Sequence, residues 1–357
     1  MISHKIKIST PAKTGGREAS MRKQPASTQA WSDRSLLSCC ICRAIFVVFL
    51  CLQPVTDAQA QLPVPAATMP EPIYAIPTRP DRAGRLLAPV EVDGKGPFRF
   101  LVDTGCNGTM IGLPLALALG FVPDPPSGTT NTMVKVHDVL GPVLMPAMRL
   151  GELDMGRFIT ANITAPVMMI GDRSGADGVI GTNSLIGRRL VVDFKRDRIR
   201  IEPSRRQPPI GFETIKGRMH GDNLLIVPVQ IAGITVPALV DTGAERSLFN
   251  KPLLDRLEMD GRVEPLGYLQ LVNLSGLEMS GPVHLLPRFR LGSLTIRNLA
   301  GILVDAHAFD TLDLADQPAM VLGMDVLGIT EAIAIDFGRS ELHLRLDGQG
   351  GPSIIRQ

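Results

Sequence analysis

Two stretches of the sequence alternate apolar with polar or neutral residues at a period of two, the pattern of a half-buried strand. One covers 86–92 and ends at Gly94; the other covers 224–231 and ends at Gly233. In each case a second apolar run follows, Phe100 to Val102 and Ala238 to Val240, and leads straight into Asp-Thr-Gly. Beyond the motifs the pattern predicts short helices. One covers 113–119 and stops at Gly120; the other follows Asn250, a good N-cap, has Pro252 in its first turn and stops before Gly261. Residues 132–145 and 268–286 read as β-hairpins around polar or Gly-containing tips. Each stretch closes with an apolar strand ending in Gly, a helical turn and a last hairpin, 190–201 or 332–346. The expectation is two small, mostly β lobes, each with one or two short helices.

The two lobes are copies of one another. Asp103 and Asp241 lie 241 − 103 = 138 positions apart. Upstream, Pro89-Val90 matches Pro228-Val229 at an offset of 139; downstream, Gly141-Pro-Val143 matches Gly281-Pro-Val283 at 140. Arg149-Leu-Gly151 matches Arg290-Leu-Gly292 at 141, Gly181 matches Gly323 at 142, and Asp193-Phe194 matches Asp336-Phe337 at 143. Slow drift along collinear matches is what loops do around a retained framework. The copies are assigned to 83–205 and 206–350.

The segment ahead of them is different in kind. A polar, basic region with Lys5, Lys7, Lys13, Arg17, Arg22 and Lys23 precedes an apolar run over 44–52, and Ala58-Gln59-Ala60 supplies a small-x-small site. Together these read as a secretory signal over 1–60, with an uncleaved anchor as the alternative and Met21 as a second possible start. Pro at 63, 65, 70, 72, 77 and 80 makes 61–82 an extended linker. The expected location is outside the cytoplasm, in the periplasm, without stable membrane association once the signal is removed. Cys39, Cys40, Cys42 and Cys51 belong to this segment, so Cys106 is the one thiol left to the lobes. It forms no internal disulfide there, and no metal site or cofactor is expected around it. With 37 basic and 35 acidic residues, nothing in the charge balance calls for nucleic acid. Abundant Gly (35) and Pro (29) with 4% aromatics suit short strands and tight turns.

Two carboxyl groups that hold one water between them can hydrolyse an amide. Like charges in contact cannot both ionise, so the pair shares a proton. One carboxylate then takes a proton from water while the acid partner donates to the scissile carbonyl. Gly after the motif lets backbone approach the carboxylate, and a Thr hydroxyl can bond across to the other copy. One Asp-Thr-Gly alone is most simply a turn in which Asp caps its own backbone; two at equivalent positions of a repeat are far more specific. Leu-Val-Asp-Thr-Gly followed by an apolar-apolar-Gly element, Val179-Ile180-Gly181 or Val321-Leu322-Gly323, resembles the retropepsin and pepsin-like aspartic peptidases over about 86–346.

The resemblance implies two tandem retropepsin-like β-barrel lobes related by a pseudo-two-fold axis, with a cleft between them for a polypeptide substrate. It makes Asp103 and Asp241 the catalytic dyad, Thr104 and Thr242 an interlocking pair, and Gly105 and Gly243 the turn glycines. Gly181 and Gly323 would support the loop beneath each Asp, and the hairpins 132–145 and 268–286 would be flaps. With both halves in one chain, a monomer suffices. Two positions depart from the family. Cys106 stands where Ala or Ser is usual and reads as a small buried residue. Neither motif is followed by Ser, which points to mildly acidic to neutral activity. Asp193 and Asp336 read as turn caps, Ser184 and Ser247 lack a nucleophile elbow, and the six His show no motif spacing. The rival readings are a catalytically silent peptide-binding protein of the same fold and an actin-like or sugar-kinase-like ATPase. Against the ATPase, Glu245 and Arg246 put charged residues where phosphates would approach.

Overall fold

The structure is a computed structural model. It describes residues 86–347 apart from 124–130, 139–140, 157, 171–174, 222, 260, 262, 274–277 and 306, together with 2–4, 73–74 and 354–356. All of these belong to one compact unit, Met1–Pro11 with Pro70–Gln357. The apolar run of the expected export signal and most of the linker lie outside the described residues.

The first copy begins with β1 (Leu87–Val92), β2 (Lys95–Val102), β3 (Met110–Gly112) and α1 (Leu113–Ala118). It continues with β4 (Thr132–Asp138), β5 (Gly141–Asp154), β6 (Ile159–Met168) and β7 (Gly178–Ile180). Pairing runs β1–β2–β7–β3–β6–β5, and β5 returns to β1 through Glu91 opposite Asp154. Six strands therefore close into a barrel, with β4 added outside on β5. Closure removes the free sheet edges, and Val90, Val92, Phe100, Val102, Leu150 and Leu153 fill the interior.

After β8 (Arg188–Asp193), β9 (Arg198–Pro203) and β10 (Glu213–Lys216), the second copy repeats the plan. Its strands are β11 (Leu224–Ile231), β12 (Ile234–Val240), β13 (Leu248–Phe249), β14 (Glu264–Asn273) and β15 (Glu278–Leu286). They are followed by β16 (Phe289–Leu291), β17 (Leu294–Arg297), β18 (Leu299–Leu303) and β19 (Met320–Leu322). The expected pair of tandem β-barrel lobes is present, and the two differ in closure: the second sheet is a half-barrel. The counterpart of the long strand β5 is broken into β15 and β16 at Arg288, whose φ of 23° leaves the extended region. The helix α2 (Lys251–Glu258) forms as expected, with the Asn250 side chain accepting from the Leu253 amide.

The two copies meet on a shared sheet that the sequence pattern did not predict. β20 (Ala332–Asp336) pairs antiparallel with β8, setting Arg189 opposite Asp336 and Asp193 opposite Ala332. With β21 (Glu341–Arg345), the order is β10–β21–β20–β8–β9, and Ile73–Tyr74 adds to the edge beyond β9. Leu190, Val192, Ile333, Ile335, Leu342 and Leu344 send one face of this sheet into the core. On the other face, Arg189 and Asp336 are 2% and 0% exposed. The Arg189 guanidinium donates to Asp336 Oδ2 at 2.8 Å and to the carbonyls of Arg205 and Gln207, tying the connection between the lobes to the sheet. Asp193 and Asp336 do cap their turns, through the amides of Arg196 and Gly338. Both are also ion-paired across strands, Asp193 with Arg345 and Asp336 with Arg189.

Candidate active site

Parallel pairing of β2 with β7, and of β12 with β19, carries each Asp-Thr-Gly out of the middle of a sheet. The Asp103 amide donates to the Ile180 carbonyl and the Asp241 amide to that of Leu322, both at 3.0 Å. Each motif is thus fastened before it turns, on strands whose side chains are buried on both sides.

The two turns then lock together. The Thr104 amide donates to Thr242 Oγ1 at 3.2 Å, and the Thr242 amide donates to Thr104 Oγ1 at 3.1 Å. Each hydroxyl in turn donates across the interface, Thr104 to the Val240 carbonyl at 2.8 Å and Thr242 to that of Val102 at 2.7 Å. Three buried groups per copy, the Thr amide, the Thr hydroxyl and a Val carbonyl, are satisfied by the other copy through four hydrogen bonds, so neither turn is complete alone.

The glycines explain the closeness of the approach. A Cβ on Gly105 would overlap the carboxyl group of Asp241, and a Cβ on Gly243 would overlap that of Asp103. Asp103 and Asp241 are within side-chain hydrogen-bonding reach of each other. Gly105 N–H donates to Asp103 Oδ1 at 2.9 Å, whereas Asp241 Oδ1 accepts two amides, Gly243 at 2.7 Å and Ala244 at 3.2 Å. Asp103 Oδ2 is buried and no donor reaches it; a proton shared with Asp241 is what would satisfy the pair. Burial first, and then the Asp241 carboxylate, raise the pKa of Asp103 from 3.8 to about 7.

Beneath each turn lies a second repeated device. Gly181 and Gly323 pack so tightly on the loop after each Asp that a Cβ would meet the carbonyls of Gly108 or Arg246. Their amides donate to Thr109 Oγ1 and Ser247 Oγ, both at 3.1 Å. Those hydroxyls are held by Asn183 Oδ1 at 2.9 Å and Asp325 Oδ1 at 2.7 Å. Sequence reasoning considered Ser247 only as a nucleophile and left Asn183 and Asp325 without a role. The available signal was positional: Thr109 and Ser247 occupy the same place in the repeat, as do Asn183 and Asp325. Cys106 is buried beside the site, its Sγ donating to the Gly108 carbonyl at 3.0 Å, and burial followed by the Asp103 charge pushes its pKa far up. It stays a thiol and contributes packing.

The two expected flap hairpins are not equivalent. The β14–β15 hairpin is packed down, Leu271 being fully buried among Phe309, Leu312 and Leu314. Those residues belong to α3 (His307–Thr311) and the chain after it, an element the sequence pattern did not signal. The β4–β5 hairpin keeps Met133 and Leu144 exposed. Among the described residues, no group of three or more His, Cys, Asp or Glu is placed to hold a metal ion.

Comparison with known families falls on the same two copies of the repeat. A family model described as aspartyl protease matches residues 88–184 and again 227–326. A search of curated proteins finds no match.

Proposed function

Because the chain belongs to the aspartyl protease family, we propose that it is an aspartic endopeptidase that cleaves peptide bonds with a water held between Asp103 and Asp241. The observation that carries this reading is the meeting of two buried carboxyl groups on turns locked by Thr104 and Thr242. Asp103, with its raised pKa and its unpartnered Oδ2, is the acid. Asp241, steadied by two amides, is the base.

As the water oxygen bonds to the carbonyl carbon, Asp241 takes a proton from the water and Asp103 gives its own to the carbonyl oxygen. The C–N bond of the diol then breaks. The proton on Asp241 passes to the leaving nitrogen, one diol hydroxyl returns its proton to Asp103, and the pair again holds one proton. No covalent intermediate forms. Since Asp103 keeps its proton up to about pH 7, cleavage belongs to mildly acidic to neutral pH and fades as the pH rises above that. The reading includes export, on the strength of the basic region, the apolar run over 44–52 and Ala58-Gln59-Ala60, and action as a monomer on extended polypeptides.

Cleavage profiling of the mature chain on a diverse peptide library, with a transition-state inhibitor of aspartic peptidases as control, tests it. New termini that vanish with inhibitor are expected. Inhibitor binding without any cleavage would leave a peptide-binding protein instead.

A further inference from the structure

The dyad is shut in. Asp103 has no exposed surface and Asp241 only 4%, yet a peptide bond has to touch both. The β4–β5 hairpin lies on this side of the first lobe, where Val136 and Met145 pack on Leu101, Cys106 and Met110, the neighbours of Asp103. It also reaches the second lobe. His137 of β4 meets His307 of α3, with Nδ1 of the first 3.1 Å from Nε2 of the second. The ring planes are 10° apart and the centres 5.3 Å apart. The difference, 5.3 − 3.1 = 2.2 Å, is what two centre-to-nitrogen distances amount to. The rings therefore meet edge to edge with their nitrogens in line, as in a hydrogen bond, and not face to face.

We propose that His137 and His307 form a proton-operated latch, which holds the β4–β5 hairpin across the cleft and releases it when both rings are charged. What the release admits, a peptide, rests on the peptidase reading above; the latch itself does not.

The state of each nitrogen follows from its neighbours. His307 Nδ1 lies 3.4 Å from Asp310 Oδ2, so the proton of neutral His307 sits on Nδ1 and its Nε2 accepts from His137 Nδ1–H. One added proton does not break the contact. His307 then donates both to Asp310 and to His137, whose own proton moves to its Nε2. A second added proton sets two N–H groups of two cations against each other, and nothing remains to accept.

The charged groups around the pair are Asp310, which touches His307, Asp305 and Asp313, which flank α3 along the chain, and Lys135, which shares a face of the hairpin with His137. His220 lies beyond α3, with Nε2 2.9 Å from the Thr311 carbonyl. That contact and the buried side chains of Phe309 and Leu312 hold α3 in place, so the hairpin is the part that moves. Imidazoles in general take up protons between about pH 5 and pH 8, which sets the two pH values worth comparing.

Hydrogen exchange of the full chain without substrate tests this, comparing amides of 132–147 at about pH 5 and about pH 7.5 after correction for intrinsic rates. In the wild type the hairpin should exchange on the order of tenfold faster at the acid pH, relative to the β11–β12 hairpin. His137→Ala should exchange fast at both values. His137→Gln, which keeps a donor and an acceptor but takes no proton, should stay slow at both. A wild-type hairpin indifferent to pH, or a Gln variant that opens with acid as the wild type does, would overturn the latch. Because no cleavage is measured, failure of the peptidase reading leaves this result untouched.

Discussion

At Asp103 a single proton connects stability with chemistry. Its carboxyl pKa rises on folding from 3.8 to about 7. Between those values the folded state holds a proton that the unfolded chain has released, so stability falls as the pH rises through that window and is greatest on its acid side. Asp103→Asn removes the buried ionisation. The variant should be more stable than the wild type above about pH 7 and lose that advantage near about pH 4, as chemical denaturation at both pH values would reveal. The Thr pair acts through hydrogen bonds alone. Thr104→Val strands the Thr242 amide and the Val240 carbonyl, both buried. At roughly 1–3 kcal/mol for each unsatisfied group, it should cost about 2–6 kcal/mol in denaturant midpoint analysis, with Thr104→Ser restoring most of it. The Asp-Thr-Gly residues were legible because their order repeats. The difference between the two carboxyl groups was not, since it lies in Asp103 Oδ2 lacking a donor and in a second amide reaching Asp241, facts of geometry within a few tenths of an ångström.

Among the elements, the strands that alternate with water were the readable ones: β1 and β11 lie within a residue of their expected bounds, and Asn250 caps α2 as its position suggests. α3 was silent. It has five residues, too few for a helical period to show. The shared sheet was silent for another reason. Its terminal hairpins were visible, but the register joining β8 to β20 links residues nearly a repeat apart, and no local pattern encodes it. That register buries the Arg189–Asp336 pair. Removing Asp336 leaves the buried Arg189 charge with only the longer contact to Glu202, at 3.6 Å, so Asp336→Ala should destabilise the chain, by up to about 3–5 kcal/mol. Replacing both partners with apolar residues of similar volume should recover much of the loss. Urea titration of the two variants compares them directly.

At the scale of the molecule, duplication supplies the symmetry, and departures from it set the two lobes apart. The first copy closes its barrel and the second, its strand broken at Arg288, stays a half-barrel; in the second copy α3 presses one hairpin down and meets the other through His307. None of this follows from the repeat, because it arises where the copies differ. What the repeat does dictate is that the candidate site has two halves, and the proposed chemistry needs both. The most direct test is the cycle of Asp103→Asn, Asp241→Asn and the double variant, assayed on one cleaved peptide. If the carboxyl groups share one proton and one water, each single change should lower kcat by at least about 10⁴-fold, and the double variant should be hardly worse than either. Substantial cleavage in either single variant, or losses that multiply in the double, would contradict a shared dyad.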